Sequence, residues 1–247
     1  MINERAKALI TEEKYGQYAP IFQELISRAI KEYNLSPEYV DEFVQSCPKI
    51  RVGKMPKGVE WGLAIATENK EIVINKKVIK SLKKENTPEA YEYFLHVINH
   101  EMYHFLNDNK KQEGMNFAWN EALTEVSANR TTFGKNKEHL KEYRAQTTGY
   151  SNLTFGVNIL AAAMGCSEKK LIQLAFEHKI PEVLSKQLHY KRDAIYFLGK
   201  VGEELNKIEK ATHGENNKKE ELQQIQTSAY HSIYIMRKRP IKPSNYA

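Results

Sequence analysis

Five consecutive residues, His100-Glu101-Met102-Tyr103-His104, constrain this chain more than any other feature, because they set a carboxylate between two imidazoles at i and i+4. On an α-helix those positions share a face, so both rings can aim at one centre about a turn apart. Glu101 projects beside that face and can reach a water at the centre without being a ligand. The pattern asks for a helix, for zinc and for a third ligand from elsewhere. The same pentapeptide also fits a helix whose histidines merely line a polar margin, so the surrounding sequence has to discriminate.

The helix is well signalled. Thr87-Pro88-Glu89 supplies a side-chain cap, a proline at the first helical position and an acid in the first turn. Phe94, Leu95, Ile98, Met102, Phe105 and Leu106 then recur at spacings of three and four, an apolar stripe with His100 and His104 at its margin. Asn107-Asp108-Asn109, followed by Lys110 and Lys111, reads as its polar end. A second helical pattern runs from about Asn116 to Phe133 and stops at Gly134. It carries Glu121 and Glu125 at i and i+4. Glu121 can complete a His, His, Glu set that leaves a coordination position open for water. Glu125 can accept the other ring N–H of a ligand histidine and so fix its tautomer. Two glutamates in such a Glu-rich chain also fit a solvated helix face.

Taken together, His100-Glu101-x-x-His104 and Asn120-Glu121-x-x-Thr124-Glu125 resemble the gluzincin branch of the zincin metallopeptidases, whose second motif reads Asn-Glu-x-x-Ser/Thr-Asp/Glu. The resemblance spans roughly residues 60 to 135. It implies an α+β, zincin-like fold in which a small sheet with an edge hairpin covers two metal-bearing helices. By it, His100, His104 and Glu121 are the zinc ligands, Glu101 is the general base and proton shuttle, and Glu125 supports a ligand histidine. The activity implied is a zinc metallopeptidase that hydrolyses peptide bonds. No Gly-x-Met-Glu-Asn motif is present to hold a free amine, which favours an endopeptidase. The short interval from His104 to Glu121 implies a compact catalytic core.

Strand-like runs at 61–66 and 71–75 flank a turn at Glu68-Asn69-Lys70, a hairpin signal. By the resemblance, that hairpin is the shelf along which an extended substrate pairs, and it equally fits a hairpin that only covers a core. Zincins also use a Tyr or His to donate to the developing oxyanion. Tyr150, His189 and Tyr190 are possible donors that the sequence does not separate; Tyr150, in the Gly149-Tyr150-Ser151 turn, is taken as the candidate, although each tyrosine also fits a packing role. His96 stands one turn before His100, but a drift of about 40° per four residues carries its ring off the centre. It reads as packing or support and not as a ligand.

The rest of the chain reads as mostly helical. Residues 1–135 are expected to form the catalytic core with a helical N-terminal extension, and 136–247 a helical C-terminal region. Helices are expected over Pro20 to Tyr33, from Ser36-Pro37-Glu38 onward, over Lys137 to Gln146, Asn152 to Met164, Ser167 to about His178, from Pro181, and from Asp193 to about Arg237 with a break near His213 to Asn217. Lys49 to Lys54 reads as a strand preceding the hairpin.

The net charge of +6 comes from lysines interspersed with glutamates, without a nucleic-acid-binding signature. A solvated surface explains them, and the basic run Arg237 to Lys242 could touch an acidic partner or nucleic acid, or simply form a disordered tail. Cys47 and Cys166 make no metal or redox spacing, which points to a reduced compartment. The amino terminus shows no apolar signal core, and nothing later is long enough to span a bilayer. The expectation is a soluble, cytoplasmic protein acting on a peptide or protein substrate, with neither membrane nor nucleic acid as partner; export without a signal peptide leaves no such mark. The alternative function is a non-proteolytic regulatory or structural protein that keeps a zinc site on this scaffold. The presence of Glu101 argues for the enzyme.

Overall fold

A computed structural model describes residues 3–46, 49–57, 64–67, 69–85, 87–106, 112–133, 154–188 and 190–213. The fold is mixed α/β, mostly helical with one small sheet of three strands. The chain divides into two compact units, the first of residues 1–108, 123–146 and 172–177, the second of 109–122, 147–171 and 178–247.

The first unit opens with short helices α1 (Glu4–Leu9) and α2 (Glu12–Tyr15). Asn3 caps α1 by accepting the N–H groups of Arg5 and Ala6. A 3₁₀ turn leads into α3 (Ala19–Tyr33), where Phe22, Leu25, Ile26, Ala29 and Tyr33 form the buried stripe and left-handed Asn34 ends the helix. α4 (Tyr39–Ser46) begins later than its Ser-Pro-Glu signal suggests. Tyr39 and Val40 donate to the carbonyls of Ser36 and Pro37, so the signal residues form a tight turn and the α-helix follows it. Tyr15, Phe22 and Phe43 bring these segments together, with ring centroids 5.7 to 6.2 Å apart.

The sheet holds β1 (Lys49–Gly53), β2 (Ala64–Thr67) and β3 (Glu71–Asn75) in the order β1-β3-β2. β3 is central, and Ile72, Val73 and Ile74 are fully buried, as a strand covered on both faces requires. β2 pairs with it antiparallel through a turn in which Lys70 takes a positive φ of 56°, while β1 pairs parallel, Ile50 opposite Ile72. α5 (Lys76–Glu85) follows β3 directly and leads to α6 (Pro88–Leu106), which packs against β2. The Thr87 hydroxyl accepts the Ala90 N–H at 3.2 Å and caps α6 as its sequence signals.

α7 (Phe117–Phe133) starts where Asn116 accepts the Trp119 N–H at 3.3 Å. Every residue from Glu121 to Asn129 is buried, so this helix has no solvated face along its middle. Its polar side chains therefore need internal partners. Asn99 donates to the hydroxyls of Thr131 and Thr132, and the Tyr103 hydroxyl donates to Thr131 at 3.1 Å. Arg130 pairs with Glu32 of α3, and Phe176 packs against Tyr33 and Tyr103.

The second unit takes the start of α7 with α8 (Thr154–Ala163), the first turn of α9 (Glu168–Phe176), α10 (Ile180–Leu188) and α11 (Lys191–His213). Ser167 caps α9, accepting the Lys170 N–H at 3.2 Å. The Trp119 indole donates to the Leu198 carbonyl at 2.9 Å. Gly114, at φ 87°, lets the chain pass so close to α11 that a Cβ would lie 2.9 Å from the Ile195 carbonyl oxygen. Expectations for Cys47, Trp61 to Leu63, Glu68, Asn107 to Lys111, Gly134, Lys137 to Gln146 and the basic run 237–242 fall outside the described residues, as does the chain beyond His213. No helix among the described residues is long and apolar enough to cross a membrane.

Candidate metal centre

α6 carries His96, Asn99 and His100, all buried, on a helix whose other buried positions are mainly apolar. Burying polar side chains costs free energy unless they are paired, so their partners define the site. The Nδ1 atom of His100 lies 3.0 Å from Oε2 of Glu125. A carboxylate can only accept, which puts a proton on Nδ1, and in the neutral imidazole Nε2 then carries the lone pair. That Nε2 faces Nε2 of His104 at 3.1 Å.

Tetrahedral zinc with nitrogen ligands at about 2.0–2.1 Å would hold two of them roughly 3.3 Å apart, close to the spacing seen here. Glu121 adds a carboxylate. The ligand atoms of His100, His104 and Glu121 all lie within 4.8 Å of one another, the one such His/Cys/Asp/Glu group among the described residues. Two imidazoles and a carboxylate with their donors turned inward fit a divalent metal ion, and this buried group can hold one. Glu121 and Glu125 do not lie on a solvated face, since they are 3% and 2% exposed.

Glu125 is the electrostatic pivot. Burial alone would push its carboxyl up, but the neighbouring charge of His96 and the hydrogen bond from His100 outweigh burial and hold it well below the usual carboxylate range. Its second oxygen, Oε1, accepts the side-chain amide of Asn129 at 2.8 Å. His96 approaches Oε2 with Nε2 at 3.5 Å, and its ring stacks on Phe133 with centroids 5.4 Å apart. His96 is thus a support residue beside the group and not within it.

Glu101 faces the sheet, where its Oε2 accepts the backbone N–H of Ala66 at 2.6 Å. In an antiparallel pair the backbone groups alternate between partner and open edge. The Ala66 N–H is spent on Glu101, so Ala64 and Ala66 turn their backbone groups away from β3 toward the edge of β2.

The structure brings His100, His104 and Glu121 within 4.8 Å of one another and Glu125 against His100, with Glu101 on the same turn as His100. Tyr150 and His189 lie outside the described residues; Tyr190 is described and exposed. Two participants were not foreseen from sequence. Asn129 stands one turn after Glu125, and that spacing was the available signal; Ala66 acts through its backbone, which side-chain chemistry does not reveal. No protein-family profile, curated protein or solved structure matches the chain.

Proposed function

We propose that the chain is a zinc-dependent metallopeptidase of zincin-like design, acting as an endopeptidase on peptide or protein substrates. The observation that carries this reading is the convergence of His100, His104 and Glu121 in one buried group, with Glu101 on the same turn. Zinc held by those three residues would supply a Lewis acid that polarises a carbonyl and brings the pKa of a coordinated water toward neutrality.

The remaining chemistry belongs to the chain. Hydrolysis puts a hydroxyl on the carbonyl carbon, breaks the C–N bond and delivers a proton to the departing amine. Glu101 takes that proton on its carboxylate and returns it, with Oε1 as the available oxygen while Oε2 holds the Ala66 N–H. Glu125 keeps the His100 Nδ1 proton in place, so Nε2 stays a donor of its lone pair. The outer edge of β2, with which no strand pairs among the described residues, would receive an extended peptide on backbone groups other than the Ala66 N–H that Glu101 already holds.

The test is Glu101→Gln, which preserves size and a hydrogen-bonding group but removes the base. Cleavage of a mixed peptide library, read as new termini by mass spectrometry, should fall by about 10²–10⁴-fold with zinc content unchanged. Cleavage at a near wild-type rate would end the mechanism. A second reading, a metal site that serves structure or regulation, is favoured by the Ala66 bond, which employs Glu101 as a tie between β2 and α6. One zinc per chain with no cleavage by the wild type would select it.

A further inference from the structure

The proposed ligand set leaves a buried imidazole unused. His96 is 4% exposed, and its Nδ1 meets no hydrogen-bond partner among the described residues. A leucine at that position would avoid the cost of an unpaired buried nitrogen, so the imidazole is retained for what its other nitrogen does. That nitrogen faces Glu125. His96 and His100 stand one turn apart on α6, while Glu125 and Asn129 stand one turn apart on α7, so the Glu125 carboxylate is approached from its own helix and from the facing one. Oε1 is held by Asn129 at 2.8 Å, and Oε2 is shared between His100 Nδ1 at 3.0 Å and His96 Nε2 at 3.5 Å.

With both oxygens engaged, the carboxylate has no free swivel about its last torsion. From this we infer that His96 and Asn129 clamp Glu125 and thereby fix the His100 tautomer, which makes them positioning residues for metal binding. The inference rests on the metal-site part of the proposed function and not on proteolysis. His96 exerts its effect only through Glu125, and Phe133, stacked on its ring, sets the ring plane. The chemistry needs no exchange of ligands. It needs Nδ1 of His100 to remain protonated and Nε2 to remain bare.

The experiment measures zinc affinity of the full chain by competition with a chromophoric chelator, alongside ¹⁵N shifts of the His100 ring in metal-free protein. His96→Leu and Asn129→Leu should each weaken zinc binding by about 10-fold, at the low end for partners of a ligand's support. His96→Gln, whose amide can still donate, should recover part of that loss. Added to Glu125→Gln, His96→Leu should cost nothing further, because the group it acts on is gone. The His100 ring should be Nδ1-protonated in the wild type and a tautomer mixture in His96→Leu. Unchanged zinc affinity in His96→Leu and Asn129→Leu overturns the clamp, as does a further large loss on the Glu125→Gln background, which would make His96 a ligand. Should His96→Leu not fold, His96→Gln and Asn129→Leu decide alone. A chain that binds zinc and shows these shifts but cleaves nothing would remove the peptidase reading and leave the clamp standing.

Discussion

Two interiors within the same unit are built on opposite principles. Around Tyr15, Phe22 and Phe43 the N-terminal helices meet in packed aromatic rings, Phe43 stacked on both of the others, fully buried. Between α6 and α7 the buried residues include His96, Asn99, His100, Glu125, Ser127, Asn129 and Thr131. The first kind of interior stabilises simply by removing apolar area from water. The second must first recover the cost of desolvating every polar group, and well-packed apolar replacements for buried ionic groups are often neutral or stabilising. The two regions should therefore respond differently to mutation.

The largest expected effect is on metal. His100→Ala and His104→Ala should each take the zinc content of purified protein from about one per chain to none. They should also remove the zinc-dependent rise in melting temperature, since an ion bound only by the folded chain stabilises it. Full zinc content in either variant would break the assignment. Phe43→Ala inverts the pattern: stability should fall by about 3–5 kcal/mol in urea unfolding while zinc per folded chain is unchanged. If Phe43→Ala lost zinc in proportion to stability, the two interiors would be one cooperative device.

Within the polar interior the two glutamates of α7 separate by role. Glu121→Gln removes a proposed ligand and should strip most of the zinc, whereas Glu125→Gln should keep the ion with affinity weakened roughly 10 to 100-fold. The geometry gives the reason, for Glu125 touches Nδ1 of His100 while Glu121 offers a ligand oxygen within 4.8 Å of ligand nitrogens of both histidines. Full zinc in Glu121→Gln with a metal-free Glu125→Gln would exchange the two.

What the sequence disclosed follows from the range of the forces involved. Helices α3, α6, α7 and α9 were legible because caps and apolar spacing are local signals, written in Thr87, Asn116, Ser167 and their neighbours. α1 and α2 went unread, having too few residues to show a period. α5 went unread because its lysines, with Lys76, Lys77, Lys80 and Lys84 exposed, mask a short apolar set. The parallel pairing of β1 with β3 depends on contacts far apart in the chain, which a strand pattern does not encode. At the centre, the i and i+4 pairs His100/His104 and Glu121/Glu125 were readable as side-chain chemistry. The approach of Ala66 to Glu101 was not, because any residue except proline supplies the same N–H.

The smallest predicted effect tests whether the centre depends on the margin of its helix or only on its interior. Thr87 caps α6 from the N-terminal end, more than three turns before His100, by accepting the Ala90 N–H. Thr87→Ala leaves that donor to water and should cost about 1 kcal/mol of stability. Because the first turn of a helix can fray without disturbing residues held by tertiary contacts, His100 should keep its bond to Glu125. Zinc affinity in Thr87→Ala should therefore match the wild type within twofold when measured well below the melting temperature. A tenfold loss there, at a stability change of this size, would mean that α6 moves as one rigid rod and that the contrast between helix end and buried centre is false.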